Sequence, residues 1–175
     1  MEWLLLAYKL PSEPTRLRAA IWRKLKMAGA VYLQDGVAML PAEPVFAALL
    51  AELARDIQDM RGTAYLMTCV PVSQPEALLE VFNAARVAEY AEFVGRCNDF
   101  HAELAKERAV QNFTFVELEE NEDELAKLVA WLAKVQGRDH FGVPARAEAE
   151  AALAACRDDL EHFEREVHAA EHVSE

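Results

Sequence analysis

The spacing of apolar and polar positions changes character along the chain. Trp3 to Leu10 is a short apolar and aromatic run closed by Pro11, as in a buried strand. Pro14 and Thr15 then open a helix on which Leu17, Ile21, Leu25 and Ala28 form one stripe, ended by Gly29. Two apolar runs, Ala30 to Gln34 and Val37 to Leu40, flank Asp35-Gly36, a strong short-range hairpin signal. Pro41 and Pro44 interrupt the chain, and residues 45–60 carry Phe46, Leu49, Leu50, Leu53 and Ile57 at helical spacing. Gly62 precedes a last strand, Thr63 to Val70, which Pro71 closes. The order over residues 1–71 is βαββαβ, which predicts a ferredoxin-like unit: a four-stranded sheet with two helices on one face.

Residues 72–175 hold no comparable strand. Ser73-Gln74-Pro75-Glu76 has the form of a capping box and opens a helical pattern running to about Arg108. Its inward set is Leu79, Phe82, Val87, Tyr90, Phe93, Cys97 and Phe100. Thr114 to Glu117 is a second capping box, followed by Leu118, Leu125, Leu128, Val129, Leu132 and Val135. Gly137 to Pro144 is a turn, and Leu153, Cys156, Leu160, Phe163 and Val167 mark a final helix. The expected class is therefore α+β, a ferredoxin-like sheet unit (1–71) with an all-helical extension (72–175) packed on it. The last two helices are long enough to form an antiparallel hairpin.

Composition narrows the classes. Of 175 residues, 53% are apolar, far above what a disordered chain carries. No apolar run approaches the roughly 20 residues of a membrane span, and the Met1 to Ala7 run carries an acid and is too short for a signal core. Three Cys, at 69, 97 and 156, form neither a CxxC pair nor a secreted framework, which points to a reduced, cytoplasmic protein. The net charge of −12 argues against a general nucleic-acid binder. Its distribution changes that. Residues 1–35 hold six cations (Lys9, Arg16, Arg18, Arg23, Lys24, Lys26) against three acids (Glu2, Glu13, Asp35), a net +3 that leaves −15 on the remainder.

The first helix is the leading candidate site. Arg16, Arg23 and Lys26 lie opposite its apolar stripe and Arg18 and Lys24 flank it, a face able to hold phosphates or an oxyanion through charge-assisted hydrogen bonds. A solvated helix face is the competing reading. The acidic run Glu117, Glu119, Glu120, Glu122, Asp123 and Glu124 fans around one helix, which suits dipole capping and pairing with Lys127 better than a cation cage. His168 and His172 at i, i+4, with Glu164 a turn earlier, have metal-ligand spacing but sit at a terminus. His101 is isolated, and His140 belongs to the polar turn cluster Arg138-Asp139-His140. Cys97 and Cys156 fall on apolar helix faces and read as buried hydrophobes. Phosphate loops, HExxH, GxSxG and zinc spacings are missing, so no enzyme, metal or cofactor is expected.

Several ordered segments resemble one family. Trp3 to Leu6, Arg18, Trp22 to Lys26, Gly29 to Val37 and Leu40-Pro41, then Tyr90, Glu117 to Glu120, Trp131 to Lys134, Arg138-Asp139 and Phe141-Gly142, look like the N-terminal domain of ChrB chromate-resistance regulators. The first 71 residues are also similar in layout to phenylacetate-degradation repressors and small CRISPR-associated integration proteins. The resemblance implies a bacterial cytoplasmic transcriptional regulator of a chromate-responsive operon, in a stand-alone form without the family's C-terminal domain. The basic helix (Arg16, Arg18, Arg23, Lys24, Lys26) would contact operator DNA, and a homodimer would double the footprint. An oxyanion-binding or accessory protein, taking chromate or sulfate without touching DNA, is the alternative. No membrane partner is expected.

Overall fold

The computed structural model describes residues 1–13 and 15–173, with side chains through residue 171. Pro14, expected to open the first helix, lies outside the described residues. The elements run β1 (Trp3–Lys9), α1 (Thr15–Met27), β2 (Val31–Gln34), β3 (Val37–Pro41), α2 (Pro44–Asp59), β4 (Thr63–Cys69), α3 (Pro75–Ala109), α4 (Phe115–Arg138) and α5 (Ala145–Val173). The class is α+β, a four-stranded antiparallel sheet with five helices. The chain divides into two compact units, Met1–Ala85 and Arg86–Glu175, so the division falls within α3.

In the first unit the sheet order is β2-β3-β1-β4. The central strand β1 pairs Leu4 with Leu40 and Leu6 with Ala38 on one side, and Leu6 with Leu66 on the other. Period-two alternation puts Leu4, Leu6, Ala38 and Leu40 on one face, where they form a core with Ile21 and Leu25 of α1 and Leu50, Leu53 and Ile57 of α2. On the opposite face Trp3 is buried and stacks on Phe82, ring centroids 4.8 Å apart. Asp35-Gly36 makes the expected turn between β2 and β3, with a register shift between Tyr32 and Gln34. Glycine is required there. Gly36 has φ +73°, a Cβ would meet the Tyr8 carbonyl oxygen at 2.2 Å, and the Gly36 carbonyl accepts the Tyr8 N–H at 2.7 Å. α1 ends as Gly29 predicts: its N–H reaches the Lys26 carbonyl and that of Ala30 the Leu25 carbonyl, a Schellman pattern.

In the second unit, α3 buries Tyr90, Phe93, Cys97, Phe100 and Leu104, and α4 buries Leu118, Leu128, Leu132 and Val135. α5 adds Ala149, Leu153, Cys156, Leu160, Phe163 and Val167. Alternating steps of three and four, filled in α4 by Asn121 and the half-buried Leu125, keep each set on one stripe. Thr114 caps α4 as expected, accepting the Glu117 N–H at 3.3 Å.

Three details differ from the periodicity. α3 starts at Pro75, so Gln74 (φ 52°), not Ser73, takes the cap position. Val87 is exposed while Arg86 is buried, because Arg86 occupies the i+4 step between Phe82 and Tyr90 and the next residue rotates 100° outward. Val129 turns outward beside Leu128 for the same reason.

Candidate functional site

α1 contains no acidic residue, and its five cations point three ways. Leu17, Ile21 and Leu25 fix the inward direction. At 100° per residue Arg16, Arg23 and Lys26 then project outward, and all three are exposed. Lys26 also lies over the Trp22 ring, 5.0 Å from its centroid. Lys24 turns toward α2, donating to Asp56 at 2.9 Å with Glu52 at 3.9 Å; the Asp56 hydrogen bond raises its pKa. Arg18 turns the other way, donating to the Ser12 carbonyl at 3.1 Å and lining an open cleft with Tyr8, Tyr32 and Trp22. The helix thus offers an outer face of three cations, with Lys24 already neutralised. Its partner, 32 residues away, leaves no trace in local periodicity.

Arg138, the last residue of α4, and Asp139, its C-cap, belong to a network whose partners on α3 the sequence pattern missed. The Glu89 carboxylate lies 3.2 Å from Arg138 Nε and 3.6 Å from Arg86 Nε. Arg86 Nη1 donates to the Arg138 carbonyl, whereas its Nε has no hydrogen-bond partner. Burial lowers the Arg86 pKa, and the neighbouring Arg138 adds to that. Asp139 accepts the Tyr90 hydroxyl at 3.2 Å and the backbone N–H groups of Gly142 and Val143. Burial, reinforced by Asp139, pushes the Tyr90 phenol up to about 12. These contacts tie the α4–α5 turn to α3, a structural use for both residues.

His101 is not isolated in space. Its Nδ1 meets Asp159 at 2.6 Å and its Nε2 lies 3.6 Å from Cys156 Sγ, a Cys–His–Asp order assembled across 58 residues. Arg108 grips the same Asp159 at 2.7 Å and Glu166 at 2.7 Å. Burial pushes the Asp159 carboxyl up, but the bonds from His101 and Arg108 outweigh it and hold the group below its ordinary value. Burial drives the Cys156 thiol up to about 12, which makes it a poor nucleophile. Cys97 and Cys156 are both buried among apolar neighbours. Among the acids of α4, Glu124 pairs with Lys127 at 3.0 Å. His168 packs against Phe115, and the side chain of His172 lies outside the described residues. Among the described residues no three His, Cys, Asp or Glu side chains gather into a metal-holding group, and no helix is long and apolar enough to cross a membrane.

Fold and charge together define an α+β chain that presents a basic surface helix on a sheet unit joined to an acidic helical unit. The family model described as "Protein ChrB, N-terminal" matches residues 18–174, and the chain belongs to that family. Over 92 residues, 53% of this chain, it is 32% identical to Protein ChrB of Cupriavidus metallidurans, a match covering 28% of that relative's length.

Proposed function

We propose that this protein acts in transcriptional control of a chromate-responsive operon and contacts DNA through the outer face of α1. The observation that carries the reading is the trio Arg16, Arg23 and Lys26, exposed on a helix without a single acid. Membership of the ChrB family supports the pathway. The strand order β2-β3-β1-β4 with two crossover helices supports reading the first unit as ferredoxin-like. Mutual packing of α4 and α5 supports reading them as an antiparallel hairpin. The protein works by binding rather than by catalysis, in the cytoplasm, and as a homodimer two such faces address the duplex. The acidic second unit discourages binding away from the operator by repelling phosphate.

The test is anisotropy titration of a fragment from the gene's own upstream region at several salt concentrations. Three phosphate contacts per protomer give log affinity against log salt a slope of about −3 per protomer. Arg23→Ala with Lys26→Ala reduces that slope by about 2 per protomer, whereas Lys24→Ala, whose charge Asp56 already holds, changes it little. Affinity indifferent to salt and to the double substitution would overturn the reading. A melting temperature raised by chromate or sulfate, with no DNA binding, favours the oxyanion-binding alternative.

A further inference from the structure

We infer that the cleft on the inner flank of α1 is a binding site for a nucleoside monophosphate. The cleft encloses about 830 Å³, within the range of small-molecule sites, and lies wholly within the first unit. Six side chains give it its chemistry: Tyr8, Lys9, Arg18, Trp22, Tyr32 and Asp35. Arg18 and Trp22, one helical turn apart, share a side of α1. Tyr8 and Tyr32 come from β1 and β2 with their hydroxyls 2.9 Å apart. Burial, with the hydrogen bond to Tyr8, raises the Tyr32 pKa, so the Tyr32 hydroxyl stays neutral. Trp22 leaves 47% of its surface in water, unusual for so large a ring. The Lys26 ammonium beside it makes the ring a cation-flanked stacking platform.

The polar groups select among ligands. Arg18 uses one Nη2 bond on Ser12, which leaves the rest of its guanidinium for an anion. Neither Lys9 nor Asp35 makes an ion pair among the described residues. A bare oxyanion satisfies the cations but leaves the aromatic walls and most of the volume unused. An aromatic carboxylate adds the ring but brings no hydroxyl to donate to Asp35. A nucleoside monophosphate meets all three demands: a base for Trp22 to stack on, ribose hydroxyls to donate to Asp35, and a phosphate for Arg18 and Lys9. The site is independent of the DNA reading. Its lining residues on α1, Arg18 and Trp22, lie on the flank; of the outer-face trio it draws only on Lys26 beside the Trp22 ring, and its test contains no DNA.

Isothermal titration of AMP into the full chain gives saturable binding. Trp22→Ala and Arg18→Ala each weaken it about tenfold or more, Trp22→Phe keeps most of it, and Arg55→Ala, on exposed α2 surface, leaves it unchanged. Adenosine and ribose 5-phosphate bind markedly more weakly than AMP, because each lacks one half of the recognition. Three results overturn the inference: no saturation at millimolar AMP, ribose 5-phosphate or inorganic phosphate binding as tightly as AMP, or Trp22→Ala and Arg18→Ala behaving like the parent while their melting temperatures match it.

Discussion

The main core of the first unit is built from apolar side chains, whereas the second unit buries Arg86, Glu107 and Asn121 along its helices. The two units fix their registers by different means. In the sheet, ladder hydrogen bonds and the two-residue turn at Gly36 leave one pairing of strands, so the core needs only apolar surface. Helices packed on stripes of Leu, Phe and Val can slide by a turn at modest cost. A buried polar group that needs one particular partner resists the slip. Arg86 of α3, near Glu89 and bonded to the Arg138 carbonyl at the end of α4, is a group of that kind.

The largest expected effect tests this contrast directly. Glu89→Ala removes the one carboxylate shared by two guanidiniums, Arg86 being more than nine-tenths buried, and costs about 3 kcal/mol in urea unfolding. Arg86→Met fills similar volume, leaves Glu89 with Arg138 and is close to neutral. Equal losses in the two variants would mean that packing, not charge, holds this junction.

The first unit has its counterpart at the turn. Gly36→Ala forces an L side chain to φ +73° and drives a Cβ into the Tyr8 carbonyl, at a cost of about 2 kcal/mol. The second unit's comparable glycine, Gly142 at φ +70° beside Asp139, has open space where a Cβ would lie, so alanine there meets the dihedral strain without the clash. A loss under 0.5 kcal/mol would show that the hairpin relaxes freely.

Smaller, and confined to the second unit, is a dependence on acid. The folded pKa of Asp159 lies below its ordinary 3.8, so its contribution is fully present above that value. It is lost as the pH falls through the folded value. Asp159→Asn therefore costs roughly 1–2 kcal/mol at neutral pH, and the gap between variant and parent closes below about pH 3.8. Melting curves from pH 7 to 2 read it; a gap that stays constant would place the stabilisation elsewhere than in the ionised carboxylate.

What the sequence made legible follows the same divide. In the first unit, Asp35-Gly36, Gly29 and the stripe Leu17, Ile21, Leu25 act within a few residues of themselves, and periodicity reads them directly. In the second, the Thr114 cap is local and legible, whereas the reach of His101 to Asp159, 58 residues on, is not. Arg86 was illegible for a different reason: an arginine at a core step reads as a surface residue until a carboxylate is brought to it. The candidate site divided in the same way. The cations of α1 could be found by spacing, but only packing against α2 shows that Lys24 is already spent on Asp56.

The smallest effect compares the units at one matched feature. α2 and α3 both end in the Schellman pattern with a non-glycine residue in the left-handed region, Arg61 at φ 60° and Gln111 at φ 57°. In each, the residue after it reaches back to the carbonyl five earlier, Gly62 to Ile57 at 2.8 Å and Asn112 to Glu107 at 3.0 Å. Glycine at either position relieves about 1 kcal/mol of backbone strain and returns about half of that through the greater freedom of the unfolded chain. Arg61→Gly and Gln111→Gly should each raise stability by about 0.5 kcal/mol. The caps differ in one respect: Asn112 also donates its side-chain N–H to the Glu107 carboxylate at 2.6 Å, so the α3 cap carries a second clamp that the α2 cap lacks. If side-chain contacts set the fit in the helical unit, Gln111→Gly gains no more than Arg61→Gly, because the clamp already holds the turn. A clearly larger gain at Gln111 in paired urea titrations would show that backbone strain limits the second unit as much as the first.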